Sequence, residues 1–326
     1  MLQSQTVTEI DIESLLESVR LPGIAGHRAL GRLIRLIDDK SPESGKIDSL
    51  VRSSVYRAAR IGLTGPPGAG KSSLISASLQ YLTLLGKKVG ILAVDPTSPF
   101  TGGAILGDRV RLSGPVTDNV FFRSLASRGE VGGVSRAIWP SSRLLDWWGA
   151  DIIIIETVGS GQLGTGVMDV ADVVVAVLTP EAGDGIQSMK AGVMELADCF
   201  VVNKSDRPGA DLIGRELNML KTEAENAGRS LEVFQTSAVN TDGIDNALDG
   251  IRDMWNRLND SGQIHARRLK QAGRELATRV EAKIEETVKA RLGGESEFEK
   301  TIASYAEQIM SGEITPGDAA KNILGD

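Results

Sequence analysis

The 326-residue sequence has few of the residues that mark disulfide-linked, metal-rich or membrane-spanning proteins. It contains one cysteine, Cys199, so no disulfide can form within the chain, and this count fits a reducing compartment. Its longest apolar runs, such as 173–178, have the length of strands and fall far short of the ~20 residues of a spanning helix. The amino terminus also lacks the pattern of an export signal. We therefore expect a cytoplasmic protein with no membrane segment.

Basic residues are also fewer than acidic ones: the chain has 36 lysines and arginines against 43 aspartates and glutamates, which gives a net charge of −7. An acidic chain offers no broad basic face for phosphate backbones, so we expect no nucleic-acid partner. The two histidines, His27 and His265, belong to no cluster with the spacing of metal ligands, and we expect both at the surface. The length suits one large domain or a domain with appendages.

Residues 65–72 are the most informative segment that is present, since they read GPPGAGKS and fill every position of the G-x-x-x-x-G-K-S pattern. The segment lies between an apolar run at 61–64 and a helical stretch. Backbone N–H groups of such a loop surround a phosphate, and the helix N-terminus adds partial positive charge. Lys71 would reach the β- and γ-phosphates, and the Ser72 hydroxyl would bind Mg²⁺. The predicted nucleoside triphosphate site consists of Gly65, Pro66, Gly68, Ala69, Gly70, Lys71, Ser72 and Ser73.

Residues 203–206 read NKSD and follow the apolar run 199–202, which gives an N-K-x-D element at the end of a strand. A carboxylate there accepts hydrogen bonds from the ring N–H and the exocyclic amine of guanine, which adenine cannot donate. A solvated turn is the alternative, because Asn, Ser and Asp are common in turns. The position downstream of a phosphate loop favours guanine, so we predict GTP and GDP as ligands. The predicted guanine-binding residues are Asn203, Lys204, Asp206, Ser237 and Ala238.

Strand-like and helical stretches alternate between residues 60 and 258, which predicts an α/β core with a mainly parallel sheet flanked by helices. Apolar residues at helical spacing predict a helical N-terminal extension at 1–59 and a helical C-terminal extension at 259–326. The predicted strands are 61–64, 88–95, 120–125, 151–156, 173–178, 199–203 and 231–236. In the tail, an apolar stripe must be covered by the core or by a second subunit; its members are Leu269, Leu276, Val280, Ile284 and Val288.

Four longer strings of residues resemble the MeaB/ArgK-type G proteins, a family that includes the methylmalonic aciduria type A protein. The similarity extends over almost the whole chain. The strings read VDPTSP at 94–99, GGAILGDR at 102–109, RSLASRG at 123–129 and ETVGSGQ at 156–162.

The resemblance implies a P-loop GTPase that escorts an adenosylcobalamin-dependent acyl-CoA mutase, gates the loading of its cofactor, protects it from inactivation, and forms a homodimer. Methylmalonyl-CoA mutase is the first expectation. Isobutyryl-CoA and 2-hydroxyisobutyryl-CoA mutases stay open, because the chain departs from the commonest family pattern at Val110, Glu130 and Ser160. An older family name implies an alternative, a kinase or ATPase linked to lysine-arginine-ornithine transport, but the sequence offers no pairing of acceptor and catalytic base.

By analogy with matching family positions, Asp95, Asp108 and Glu156 surround the γ-phosphate and a metal ion. Three carboxylates beside a polyphosphate repel one another unless a cation joins them, and Lys190, in a segment that resembles a third switch, is the candidate lysine. The alternatives are a loop cap for Asp95 and a solvated helix residue for Lys190. No glutamine follows the glycine of ETVG directly, so we expect slow hydrolysis without a partner. The predicted metal ligands are Ser72, Asp95, Asp108 and Glu156, and the predicted catalytic residues are Lys71, Asp108, Glu156 and Lys190.

Overall fold

The computed structural model describes residues 11–52, 57–95, 117–126, 135–157, 165–182 and 197–325. The chain divides into two compact units, Met1–Lys270 and Gln271–Asp326. The boundary expected near residue 258 stays a prediction. Within the described ranges, no helix combines the length and the apolar character that crossing a membrane requires.

A parallel sheet forms the centre of the first unit, as the alternating pattern predicted. Its strands in the described residues are β1 (Ala59–Thr64), β2 (Val89–Asp95), β3 (Val120–Ala126), β4 (Ile152–Thr157), β5 (Val173–Leu178), β6 (Cys199–Val202) and β7 (Glu232–Gln235). Their order across the sheet is β3-β2-β4-β1-β5-β6-β7, and every neighbouring pair is parallel. All the carboxyl ends of the strands therefore meet at one edge, where ligand loops of open α/β sheets gather.

Helices cover both faces of this sheet. In the first unit they are α1 (Ile12–Val19), α2 (Ile24–Asp38), α3 (Ser44–Val51), α4 (Lys71–Leu84), α5 (Ile138–Trp147), α6 (Ala210–Asn226) and α7 (Ile244–Asp260). On β4, Ile153 and Ile155 join the core that contains α1–α3 and α5, whereas Ile154 joins the core that contains α4 and α7. Strands buried on both faces read as continuous apolar runs, which is why β5 was predictable to its ends.

A buried ion pair joins the amino ends of the central strands to the next helix, α8 (Gln263–Arg291). Arg268 donates from Nε to Asp172 Oδ1 at 2.8 Å and from Nη2 to Oδ2 at 2.5 Å. The Asp172 side chain is fully buried, and its Oδ2 also accepts from the Arg60 backbone N–H and from Trp255 Nε1, each at 3.0 Å. A buried carboxylate with this many donors holds the start of α8 against the amino ends of β1 and β5.

The second unit continues α8 and adds α9 (Glu295–Ser311) and α10 (Pro316–Leu324). The helical C-terminal extension was predicted. Along α8, the apolar stripe defined from the sequence is largely exposed: Leu276 is 64% accessible, and Leu269, Val280 and Ile284 lie between 49% and 67%. Four of the five members of the stripe are thus exposed, and the fifth, Val288, is partly exposed.

Candidate nucleotide site

The loop at 65–72 connects β1 directly to α4, as its pattern predicted, and its glycines take backbone conformations that other residues rarely adopt. Gly65 has φ 142° and Gly70 has φ 81°. A Cβ on Gly65 would come 2.2 Å from the Val177 carbonyl oxygen, and one on Gly70 would come 2.4 Å from Asn203 Nδ2. Both positions therefore exclude a side chain, and the backbone curls tightly before α4 begins at Lys71.

Lys71 is buried at the start of α4, with its ammonium group folded over the loop. Its Nζ donates to the carbonyl oxygens of Gly65 at 2.9 Å and Pro66 at 3.0 Å. The charge thus stays within the loop, at the helix N-terminus that attracts anions. Phosphate oxygens entering the loop can replace these carbonyls as hydrogen-bond acceptors.

Ser72 lies beside the carboxylate that ends β4. Its hydroxyl donates to Glu156 Oε1 at 2.7 Å. Glu156 is paired in register with Leu63 of β1 and Ala93 of β2, and it is almost fully buried. Asp95 lies two residues beyond Ala93 on the same face of β2, about 6.6 Å further along the strand. A hydroxyl of the phosphate loop thus contacts one buried carboxylate, and a second buried carboxylate lies on the strand next to β4.

This set of donors fits a magnesium ion that is held partly by the nucleotide. Hydroxyl and carboxylate oxygens are the ligands that Mg²⁺ prefers, and it usually takes only one or two carboxylates together with phosphate oxygens. In the described part of the chain, no group of three or more His, Cys, Asp or Glu side chains has the arrangement of a complete metal site. A metal at this edge would therefore depend on Ser72 and on bound phosphates. Asp108, the remaining predicted ligand, lies outside the described residues.

Asn203 connects the loops that are predicted to bind guanine to the loop that is predicted to bind phosphate. Its side chain is 1% exposed, and its Nδ2 donates to the Ala69 carbonyl oxygen at 3.0 Å. Its Oδ1 accepts from the Ala238 backbone N–H at 3.3 Å and from Thr236 Oγ1 at 3.4 Å. One amide group therefore joins the phosphate loop, the N-K-x-D loop and the 236–238 loop, as bracing by this residue would require.

Asp206 lies next in this arrangement, with its carboxylate fixed by the neighbouring loop. Ser237 Oγ donates to Asp206 Oδ1 at 2.5 Å, and this hydrogen bond lowers the pKa of the Asp206 carboxyl below its usual value. The group is consequently ionised at neutral pH, in the state that accepts hydrogen bonds from a guanine edge.

Glu181, which the sequence did not single out, ties the segment after β5 to the N-K-x-D loop. Its carboxylate forms an ion pair with Arg207 and lies 3.6 Å from Lys204 Nζ. A hydrogen bond from its own backbone N–H, and then the one from Arg207, lower the Glu181 pKa to about 2. This contact arises because Leu178 and Val202 are paired in the parallel sheet, which brings together the residues that follow β5 and β6. Knowledge of that strand pairing would have predicted it.

The structure therefore gathers the described members of the predicted site at one edge of the sheet. Residues 65–73 follow β1, Asp95 and Glu156 lie at the carboxyl ends of β2 and β4, and the loops that are predicted to bind guanine follow β6 and β7. Two predicted catalytic residues, Asp108 and Lys190, lie outside the described residues.

Comparison with known proteins identifies the family. The model of the family described as "Methylmalonyl Co-A mutase-associated GTPase MeaB" matches residues 30–292. A putative GTPase of Pyrococcus horikoshii is 37% identical over 318 residues, which cover 96% of this chain and 97% of that protein. A "Methylmalonic aciduria type A homolog, mitochondrial" of Caenorhabditis elegans is 34% identical over 316 residues, 91% of this chain and 74% of that protein.

Among solved structures, a protein described as an LAO/AO transport system kinase has the same fold. It superimposes with a TM-score of 0.63 at 21% identity, over 100% of this chain and 99% of that one. The family match and the relatives, which are described as GTPases, agree with a G-x-x-x-x-G-K-S loop that is joined to an N-K-x-D loop. The chain is a GTPase and belongs to the MeaB family.

Proposed function

We propose that this GTPase is a chaperone that gates cofactor loading of an adenosylcobalamin-dependent acyl-CoA mutase and protects that enzyme. The family's description as mutase-associated supports the proposal, as does the description of the C. elegans relative. Methylmalonyl-CoA mutase is the first candidate partner. The likeness to the transport system kinase is one of fold, and so it gives no support to the alternative of a transport-linked kinase.

The observation that carries a signalling role is the contact of Glu181 with Lys204 and Arg207. This contact joins the loop expected to bind guanine to Glu181, the first residue of the segment 181–190 that resembles a third switch. A bound nucleotide that changes the position of Lys204 therefore changes the contacts of Glu181. A partner that touches the segment after β5 would sense that change, provided it binds the two arrangements with different affinity.

Within the GTP site, each role follows from the contacts. Lys71 neutralises charge that develops on the phosphates during hydrolysis, and the backbone of residues 65–70 fixes their position. Asp206 selects guanine. Ser72, Asp95 and Glu156 would hold Mg²⁺, with Asp108 as the further ligand expected from the sequence. When bound, such an ion would supply positive charge that offsets the negative charge of the phosphates. Hydrolysis is slow until a partner orders the groups that orient the attacking water.

The chaperone acts as a homodimer in the cytoplasm. The exposed stripe on α8, with Leu276 and Ile284 each more than half accessible, supports pairing of this helix with its counterpart in a second subunit. A reducing compartment agrees with Cys199, because burial raises the pKa of its thiol and leaves it unreactive.

The test combines partner binding with nucleotide control. GTP turnover of the full-length protein is measured alone and with methylmalonyl-CoA, isobutyryl-CoA or 2-hydroxyisobutyryl-CoA mutase, together with transfer of adenosylcobalamin to each enzyme. We expect one mutase to accelerate turnover, and its loading to differ between GDP and a non-hydrolysable GTP analogue. Lys71→Ala is the control that should lose turnover while the fold is kept.

A variant with altered nucleotide preference shows whether the effect on the mutase depends on this GTP site. Asp206→Asn should respond to xanthosine nucleotides in place of guanosine nucleotides, both in turnover and in cofactor loading. If none of the three mutases alters turnover, and loading is the same with every nucleotide, the chaperone proposal is wrong even though the chain remains a GTPase.

A further inference from the structure

A cavity of about 320 Å³ lies between α4, α7 and the face of the sheet that these helices cover. Its sheet wall comes from four strands and includes Ile61, Ile154 and Val175, and its helix walls include Leu74 and Leu248. None of the residues that line it belongs to the predicted nucleotide site. The cavity is thus a separate feature of the first unit.

The cavity exists because α4 and α7 do not close completely over the centre of the sheet. Both faces of a parallel sheet are normally covered, yet Ile61 of β1 and Ile152 of β4 remain partly accessible although their strands are central. Trp255 of α7, which also lines the cavity, is partly accessible as well. Solvent-sized molecules can therefore enter between the helices.

Volume and lining define the kind of ligand that fits. The volume is about twice that of a 150 Å³ apolar cavity that accepts benzene, and it falls at the lower end of the ~300–1,000 Å³ of small-molecule sites. An apolar chain of about ten carbons matches this space. Such a chain gains from burial against the aliphatic walls, whereas water finds few partners there.

Charged side chains also line the cavity, and most of them are exposed at its mouth: three are cationic and two are anionic. Lys87 lies 3.7 Å from Asp151, and Arg252 forms ion pairs with Asp249 at 2.8 Å and with Asp253 at 3.2 Å, so both of these cations already have anionic partners. Arg57 also lines the cavity and is exposed, and within the described residues its guanidinium group forms no ion pair. An anionic head group at the mouth would find a partner in Arg57.

We propose that this cavity binds a free amphiphile that consists of an apolar chain of about ten carbons and a carboxylate head. The chain lies between α4 and α7, and the carboxylate lies beside Arg57. This site is separate from the GTP site and binds a second kind of small molecule.

The positions of the four tryptophans allow a direct test of ligand binding in the cavity. Trp255 lines the cavity, whereas Trp139, Trp147 and Trp148 belong to the core on the other face of the sheet. Trp255 lies at the same end of β1 as Arg57, because its Nε1 contacts the Asp172 carboxylate that also accepts from the Arg60 N–H. Decanoate brominated in the half of its chain next to the carboxylate would therefore place a quencher near Trp255, on the opposite face of the sheet from the other three tryptophans. Titration of the full-length protein should give saturable quenching, unbrominated decanoate should compete with the probe, and decanoate should raise the midpoint of thermal unfolding.

Variants separate this site from binding elsewhere. Ala247→Phe fills the cavity from α7, and Ala247→Met is the milder version; both should abolish or strongly weaken quenching and the thermal shift, while GDP affinity stays unchanged. Trp255→Phe should remove the quenching but keep the thermal shift. Arg57→Gln should weaken binding of decanoate by about two- to five-fold, the range of an exposed ion pair, and leave binding of the neutral alcohol decanol unchanged.

Three results would overturn the proposal. The first is an absence of saturable quenching below the micelle concentration of the probe. The second is quenching that survives in Trp255→Phe or in the folded Ala247 variants. The third is equal affinity for decanoate and decanol in the wild-type protein, which would remove the assignment of an anionic head.

Discussion

Replacing Asn203 by alanine tests whether one buried amide holds the phosphate loop and the guanine loops in a common arrangement. The substitution removes the donor to the Ala69 carbonyl oxygen at 3.0 Å and the acceptor for the Ala238 N–H at 3.3 Å. A typical hydrogen bond contributes about 1 kcal/mol net, so the two together contribute about 2 kcal/mol. The more distant contacts, such as the one with Gly70 at 3.5 Å, add little.

The loss of these hydrogen bonds can lower the stability of the fold, the affinity for nucleotide, or both. The two loops lie at the carboxyl edge of the sheet, so after the substitution they can relax without opening the core. Most of the loss should then fall on nucleotide affinity. We expect GDP to bind about 10- to 30-fold more weakly to Asn203→Ala, where 2 kcal/mol corresponds to about 30-fold, and the free energy of unfolding to fall by less than about 1 kcal/mol.

The assay pairs a titration with a fluorescent GDP analogue and urea unfolding of the nucleotide-free protein. Asn203→Asp separates the two halves of the bridge, because it keeps an oxygen for Ala238 N–H but turns an oxygen toward the Ala69 carbonyl. Asn218→Ala is the matched control, since Asn218 Nδ2 donates only within α6, to Gly214 at 2.8 Å. A change in GDP affinity of less than three-fold in Asn203→Ala, with unfolding also unaffected, would refute the bridging role.

Four further outcomes follow from the structure and the proposed function. Asp206→Asn should favour xanthosine over guanosine nucleotides, measured as the ratio of their dissociation constants; an unchanged ratio would show that another group reads the base. Arg268→Ala leaves the fully buried carboxylate of Asp172 without its charged partner, so the free energy of unfolding in urea should fall by about 3–5 kcal/mol; a loss below about 1 kcal/mol would mean that solvent reaches the carboxylate. Leu276→Glu puts a charge in the exposed stripe of α8 and should yield monomers in sedimentation; a dimer that persists would place the interface elsewhere. Lys190→Ala should keep intrinsic GTP hydrolysis within a few-fold of wild type but lose most of the acceleration by the mutase, and equal stimulation of both proteins would contradict a signalling role.

Strands and the phosphate loop were predictable because their physical causes are local. Val173–Leu178 is apolar at every position, as a strand covered on both faces must be, and the structure has β5 at those residues. Residues 65–72 have glycines, Lys71 and Ser72 at the spacing of a phosphate-binding loop, and this spacing is rare in other structures. The other predicted strands differ from β1–β4, β6 and β7 by one or two residues at their ends, where the burial signal weakens.

Contacts between residues far apart in sequence had no such local signal. His27 was expected at the surface; it is partly exposed there, and its ring also packs edge-on against Phe121 and Trp148, with ring centroids 5.8 and 5.9 Å away. The pairing of Asp172 with Arg268 joins residues 96 positions apart, and neither lies in a motif. Only the order of strands in the sheet brings such groups together.

Asn203 shows where motif reasoning ends. The motif assigns Asn203 to the nucleotide site because of its place beside Lys204 and Asp206, but not the atom that it contacts. That contact requires β6 to lie close enough to β1, across β5, for a side chain after one strand to reach the loop after another. The absence of a side chain at Gly70 is part of the same arrangement, since a Cβ there would lie 2.4 Å from Asn203 Nδ2. The glycine is therefore needed for a neighbouring loop as well as for a phosphate, and its replacement should disturb guanine and phosphate binding together.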